Sequence, residues 1–292
     1  MQYFVSIENT SFFYWQMEIL IESFVMHGLQ DNLVIAIAEN DDPKIKGYSS
    51  NLIKYGTKFM HPNFGMDAGH PPLNRAVALR TALSEGMLGF PFSVIHSDMI
   101  LRKPLPEKGF QSDYGMVVNS FDETSEKTRK EIKEAIRPGL KRIAEERILK
   151  VEDLPEIPAL SAPFVFNESF KSLSDVFFAR LHSNTMDLIG SEGGEFPCER
   201  AAWELTLTEA FQHCSVKSEF MACPLMSNET GTNFIHYKNG IPPVFHKKFF
   251  KFSDISVRTG RCPFEVILEH NPTPNTDYVH EVIKSYNSRT GK

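Results

Sequence analysis

The chain has 292 residues, of which 41% are hydrophobic and 23% charged, and carries a formal net charge of −6. A chain this long buries about three quarters of its unfolded surface, so its core needs no disulfides or structural metal, and the composition excludes a disordered polypeptide. With 31 basic residues against 37 acidic ones it lacks the general basic face of a nucleic-acid binder. A small anionic ligand is still compatible with it, provided the site supplies a cation. Met1 to Ile7 reads as a strand, with no basic region followed by an apolar core, so no signal peptide is expected and the location read from the sequence is cytoplasmic. The apolar run Leu33 to Ala38 falls far short of the roughly 18–20 residues of a membrane span. Cys198, Cys214, Cys223 and Cys262 include no C-x-x-C pair, which argues against a zinc ribbon. They read as scattered thiols of a reducing compartment, with one bridge as the alternative.

Along the first third, strand and helix signals alternate. Tyr3 to Ile7 is a short apolar strand. Tyr14 to His27 carries Trp15, Ile19, Leu20, Phe24 and Val25 at helical spacing, with Gly28 as its cap. Leu33 to Ala38 is a continuous apolar strand, the pattern of a sheet covered on both faces. Lys58 to Met60 is a short third strand, Asn74 to Glu85 a helix closed by Gly86, and Phe92 to His96 another buried strand. This alternation predicts an α/β fold with a Rossmann-like, mixed and mostly parallel sheet flanked by helices. Residues 122–150 are highly charged, and Pro138-Gly139 splits them into two predicted exposed helices, a helical insertion that is either a solvated pair or a lid. Pro155, Pro158 and Pro163 mark a connector. Phe164 to Phe166 is strand-like, helices are expected at about 168–189 and 199–213, and the last third reads as short strands and turns.

The most informative stretch is Phe92-Ser93-Val94-Ile95-His96-Ser97-Asp98-Met99-Ile100-Leu101. An apolar strand runs into a carboxylate, and in open α/β sheets ligands sit outside the carboxyl ends of the strands. A carboxylate there can hold Mg²⁺ or Mn²⁺, which in turn can hold a diphosphate. The layout resembles the D-x-D motif of nucleotide-sugar glycosyltransferases with the GT-A fold, with His96 in the first acidic position. Other segments follow in matching order. Asn9 to Gly28, Pro71 to Leu79 (Ala76 where a Pro is usual), Asp98 with Lys103-Pro104-Leu105-Pro106, and Ala162 to Phe166 come first. Glu199 to Phe211 with Trp203, Phe234-Ile235-His236-Tyr237-Lys238-Asn239-Gly240, and Phe245-His246-Lys247-Lys248 complete the series. Together they resemble the hydroxyproline O-arabinosyltransferase and peptidyl-serine galactosyltransferase group over residues 3 to 250.

The resemblance implies one GT-A catalytic domain over 1–292, with a nucleotide-sugar-binding half at 1–106, the charged helical insertion at 122–150, and an acceptor and metal-completing half at 160–250. It implies metal-dependent transfer of a sugar, with retention, from a nucleotide-diphosphate donor, best a UDP-sugar, to a hydroxyl of a glycan, peptide or small molecule. Asp98 and His236 are the first metal-ligand candidates, with His96 and His246 as competitors for Mn²⁺ or Mg²⁺. Ser6, Glu8 and Asn9 are expected just past the first strand, where a base and ribose would sit. Asn74 and Arg75 open a helix whose N-terminus attracts anions, and Lys247 can face the diphosphate. Glu204 and Glu199 are the catalytic carboxylate candidates; they are rotated by about 140° on a helix and so do not form a pair. Glu192 and Glu195 flank Gly193-Gly194 nearby. A net-acidic chain makes a charged leaving group harder to stabilise without a cation, which favours a metal site. The rival readings are a nucleotidyltransferase, weakened by the glycine-free Glu8-Asn9-Thr10-Ser11, and a nucleotide-sugar or glycan binder with a degenerate site. P-loop and dinucleotide fingerprints do not occur in the chain.

Overall fold

The computed structural model describes residues 1–39, 54–64, 73–106, 116–119, 126–154, 161–189, 197–210, 214–217, 222–224, 228, 230–237 and 273–291. The chain divides into two compact units. One comprises Tyr3–Met60, Ile95–Leu105 and Phe220–Lys292, and the other Met1–Gln2, His61–Val94 and Pro106–Glu219.

In the first unit, β1 (Gln2–Glu8) pairs in parallel with β2 (Leu33–Ala38), from Tyr3 opposite Leu33 to Glu8 opposite Ala38. All six residues of β2 are buried, as its unbroken apolar run requires. The crossover helix α1 (Ser11–Met26) ends in a short turn where Gly28 takes a φ of +68°, a conformation disfavoured for residues with a Cβ. Tyr14 to Phe24 are buried without exception, so α1 is enclosed on every side. A small sheet lies in the same unit. Its central strand β10 (Phe234–His236) runs antiparallel to β5 (Met99–Leu101) and parallel to β9 (Ala222–Pro224).

The last third of the sequence holds an element that the periodicity reading omits, α6 (Pro274–Thr290). Its signals are nevertheless written in the chain. Thr273 caps the start, its side chain accepting from the Thr276 N–H at 3.2 Å, Pro274 follows at the first helical position, and Gly291 closes the end with a φ of +74°. Val279, Val282, Ile283 and Tyr286 pack against Trp15 and Ile19 of α1 and against Ile100, Ile235 and Tyr237, forming one buried cluster. At its rim the Glu22 carboxylate, fully buried, accepts from Ser285 Oγ at 2.8 Å and from Arg289 Nε at 3.1 Å, and it also meets Arg289 Nη2. This bond to Glu22 raises the already high pKa of the arginine.

In the second unit, β7 (Ser161–Phe166) pairs antiparallel with β4 (Phe92–Val94) on one side and with β6 (Met116–Asn119) on the other. A register shift falls at Val118 and Asn119, and β6 runs parallel to β8 (Cys214–Lys217). Helices α2 (Leu73–Ser84), α4 (Ser174–Ile189) and α5 (Pro197–Glu209) belong to the same unit. Phe166, Phe170 and Phe178 are fully buried, and the Phe170 and Phe178 rings lie tilted against Phe166 with centroids 5.2 and 5.3 Å away.

The charged segment departs from expectation. It holds one helix, α3 (Glu126–Glu146), with Pro138 in its interior, rather than two helices split at Pro138-Gly139. Proline there lacks one N–H donor and costs the helix about 3 kcal/mol. The apolar stripe nevertheless continues across it: Ile132, Ile136, Ile143 and Ala144 are all buried, and α3 lies against α5. At Gly139 the two helices meet so closely that a Cβ would stand 2.5 Å from Leu205 Cδ2. The proline and glycine therefore sit at a contact, and burial on both sides holds the helix together. Glu209 fixes the same packing, accepting from Arg142 Nη2 at 3.0 Å and from Arg180 Nε at 2.8 Å.

Two stability outcomes follow. Arg289→Ala leaves the Glu22 carboxylate buried without its cation and is expected to cost about 3 kcal/mol in urea unfolding. The double change Glu22→Leu with Arg289→Met should recover most of that loss. Gly139→Ala should destabilise by about 1–2 kcal/mol through overpacking. Combined with Leu205→Ala it should cost less than the two single changes summed, and strict additivity would contradict the contact.

Candidate metal centre

The strand before the informative motif ends at Val94, and the chain turns within His96-Ser97-Asp98 before β5 begins at Met99. The turn is closed by Met99 N–H donating to the His96 carbonyl at 3.2 Å. Two buried contacts fix it from below. Ser97 Oγ donates to Gln16 Oε1 at 3.1 Å, and Gln16 Nε2 is itself held by the Phe12 carbonyl at 2.9 Å. The Tyr237 N–H donates to the Asp98 carbonyl at 3.0 Å, which extends the β5–β10 ladder by one bond.

That ladder decides which late residue reaches the turn. Ile235 of β10 and Tyr237 just after it face the cluster around Trp15, so by strand alternation Phe234 and His236 face the other way. His236 lies opposite Met99, and its Nε2 comes within 3.2 Å of Asp98 Oδ1. His96 Nδ1 is 4.0 Å from the same oxygen, and the two imidazole rings meet edge-on at 5.6 Å. One ligand atom from each of His96, Asp98 and His236 falls within 4.8 Å of the other two. Donors about 2.1 Å from a shared ion stand roughly 3.0–4.2 Å apart, depending on coordination angle. The two distances to Asp98 Oδ1 therefore suit a common divalent cation, and two imidazoles with one carboxylate are a suitable donor set for one. Asp98 and His236 have side chains only 7% and 11% exposed, whereas His96 is 26% exposed, so the group opens to solvent on the His96 side.

Tyr237 sits directly behind the carboxylate. It is buried, and burial, with the Asp98 charge adding to it, pushes its hydroxyl pKa well above 10. Its hydroxyl meets the Ser97 carbonyl only at 3.5 Å, so packing fixes the ring more than this bond does. Gln16 and Tyr237 have no place among the residues singled out for chemistry from the sequence. Both stand inside the quoted motifs, and the alternation of Phe234-Ile235-His236-Tyr237 is the signal that separates a ligand face from a core face.

The other sequence candidates fall in several places. Ser6 lies within β1, opposite Ala36, rather than beyond the strand, and Glu8 is its last residue. Asn9 follows at the turn, where its N–H donates to the Ala38 carbonyl at 2.9 Å and its side-chain oxygen accepts from Tyr14. Asn74 and Arg75 stand in the first turn of α2, in the second unit. Asn74 is buried and donates to Asn63 Oδ1 at 2.8 Å. Glu204 is buried on α5, next to Trp203, whose ring stacks on Phe164 at 4.5 Å. Glu199 belongs to the first turns of the same helix. His246, Lys247, Lys248, Glu192, Glu195 and the Gly193-Gly194 pair lie outside the described residues. The turn thus joins three of the four metal candidates.

No protein-family profile and no curated protein sequence matches the chain. Solved structures do. The galactosyltransferase LgtC, determined with donor and acceptor sugar analogues, aligns over 98% of this chain and 96% of its own, with a TM-score of 0.51 and 11% identity. A glycosyltransferase involved in glycosylation of the major capsid of PBCV-1 aligns over 86% and 99%, with a TM-score of 0.46 and 10% identity. Mouse xyloside xylosyltransferase 1 aligns over 81% and 97%, with a TM-score of 0.42 and 9% identity. The likeness to LgtC establishes the fold, a mixed, mostly parallel sheet flanked by helices of the GT-A type. Among the described residues, no helix is long and apolar enough to cross a membrane.

The tyrosines behind this site give a pH signature. Tyr237 is raised well above 10 and Tyr278, chiefly by burial, to about 12. An unfolded tyrosine releases its proton near pH 10, which the folded chain resists, so folding stability should fall as pH rises above about 10. Tyr237→Phe and Tyr278→Phe should each flatten the fall in urea midpoint between pH 9 and 11. An unchanged slope in both variants would contradict the burial of these hydroxyls.

Proposed function

We propose that this protein is a glycosyltransferase that moves a sugar from a nucleoside-diphosphate donor, UDP-linked, to an acceptor hydroxyl, with a divalent metal at His96, Asp98 and His236. The observation that carries the reading is the convergence of these three side chains at the turn after β4, in a chain with the GT-A fold. When bound, the cation supplies charge neutralisation for the diphosphate leaving group.

The chain's own residues have defined tasks in this reading. Asp98 brings the negative charge that retains the cation, and the two imidazoles complete its coordination. Gln16 and Tyr237 hold the turn so that Asp98 and His96 keep one geometry. Glu8 and Asn9, at the carboxyl end of β1, are proposed to meet the ribose and base, in the place where open α/β sheets take their ligands, with Ser6 behind them. Arg75 and Asn74 at the start of α2, and Lys247, are proposed for the phosphates, and Glu204 and Glu199 for the carboxylate work at the sugar. These assignments rest on the sequence motifs. Retention of configuration, Mn²⁺ as the ion and the narrower kinship with the hydroxyproline O-arabinosyltransferase and peptidyl-serine galactosyltransferase group rest on the ordered motifs as well. His96, where the motif has an acid, favours one second reading, a nucleotide-sugar binder without turnover.

A panel of UDP- and GDP-sugars with Mn²⁺, read by release of the free nucleotide, tests the proposal. Release from one UDP-sugar is expected. Asp98→Asn should reduce it by about 10²–10³-fold, the scale of losing one electrostatic contact to developing charge. Full activity in Asp98→Asn or in EDTA would refute the metal assignment, and tight UDP binding without any release would favour the binder.

A further inference from the structure

We infer that the cleft between α2 and α4 is a binding site for an amphiphilic glycoside, a sugar that carries an apolar aglycone. The two helices lie against each other in the second unit, and the cleft along them measures about 900 Å³. That is within the roughly 300–1,000 Å³ of sites that take small molecules. The inference goes beyond the transferase reading, since it invokes neither the metal nor a donor nucleotide.

The lining changes character along α2. Leu73 and Val77 line the cleft from the first half of the helix, and Arg80, Thr81 and Ser84 from the second. These positions recur at three and four residues, so they form one stripe over three turns, about 16 Å long. Phe64 and Met186 line the same cleft and are 40% and 45% exposed, which leaves two large apolar side chains in contact with water. A ligand that matches the stripe has an apolar part over Leu73 and Val77 and a polar head beside Arg80.

The polar groups decide what that head is. Arg80 and His182 bring N–H donors to the cleft. Thr81 and Ser84 donate their own hydroxyl protons to the carbonyls of Val77 at 3.2 Å and Thr81 at 3.0 Å, so outward they present acceptor oxygens. The Asp175 carboxylate is a further acceptor. Among the described residues, Arg80, Asp175 and His182 enter no ion pair and no side-chain hydrogen bond, which leaves them for a ligand. An anionic head would meet Asp175 and two hydroxyl oxygens, and a cationic head would meet Arg80. A polyol satisfies the mixed set, because each of its hydroxyls both donates and accepts. The exposed ring of Phe64 adds a flat apolar surface of the kind on which the C–H face of a sugar ring packs.

The test titrates the full chain, its methionine methyls labelled with ¹³C, in the absence of metal and nucleotide. The probes are the octyl β-glycosides of glucose, galactose and mannose, below their micelle-forming concentrations. The Met186 signal, assigned by its loss in Met186→Gln, should shift with at least one of them. Calorimetry should show that glycoside binding at least about tenfold more tightly than its methyl glycoside, octanoate or octylamine. Arg80→Met and Asp175→Leu, both at exposed positions, should each weaken it by about tenfold or more, the scale of a hydrogen bond to a charged group. Met186→Gln should narrow the preference for the octyl over the methyl glycoside. Binding of none of the three glycosides overturns the inference, as does a Met186 signal that stays in place on binding. Octanoate or octylamine bound as tightly as the glycoside overturns it too, and so does unchanged affinity in both Arg80→Met and Asp175→Leu. Glycoside binding by a chain that releases no nucleotide from any sugar donor upholds the inference and refutes glycosyl transfer. Nucleotide release by a chain that binds no glycoside in this cleft does the reverse.

Discussion

The antiparallel pairing of β5 with β10 is the contact on which the candidate centre depends. It is only three residue pairs long, yet it joins segments separated by more than a hundred positions and sets His236 opposite Met99, one step from the turn that carries Asp98. Such a short ladder has little stability by itself. Burial supplies the rest. Ile100 and Ile235 pass from the ladder into the cluster that α1 and α6 enclose, while the opposite face carries His236 beside the buried Phe234, Met99 and Leu101. Helix α6 thereby affects the site without touching it, through the packing of Val279, Val282 and Ile283.

The parts of the fold that the sequence made legible are those where one local pattern has a single solution. The six-residue apolar run of β2 could only be a strand buried on both faces, and it is. The strand before the site was legible too, but it stops at Val94 rather than running to His96 as its sequence suggests, so His96 belongs to the turn with Asp98. Two misjudged elements were decided by long-range packing. Pro138-Gly139 is locally a helix breaker, yet the helix continues because Ile136 and Ile143 are buried on either side and Leu205 fills the space over Gly139. For α6 the capping residues were present at both ends, but its apolar positions are diluted by polar ones and acquire meaning only against α1. Of the site itself, all three ligand candidates were named from the sequence. Their mutual distances were not, since those follow from strand register, and the roles of Gln16 and Tyr237 required the turn to be seen in place.

The chain's negative charge also looks different once located. The carboxylates with the most consequence are few and enclosed: Glu22 against Arg289, Glu209 between Arg142 and Arg180, and Asp98 between two imidazoles. The first two meet arginines, which stay cationic at any ordinary pH and so give fixed structural pairs. Asp98 meets groups that can serve either as hydrogen-bond partners or as metal donors. A single change of partner type separates a carboxylate that builds the fold from one available for chemistry.

The enclosure of α1 has a consequence for how the site's address is specified. Hydrophobic pattern alone leaves a strand free to slip by two residues, since such a slip keeps every side chain on its own face. Along β5 that ambiguity is removed by polar contacts that admit one alignment. Ser23 Oγ accepts the Leu101 N–H at 3.0 Å, Gln16 takes Ser97, and Arg102 reaches Asn275 at 2.6 Å. These contacts act as reading marks on an otherwise repetitive ruler. An all-apolar replacement of Gln16 and Ser23 could keep the core filled while losing the instruction that places His96 and Asp98 opposite His236.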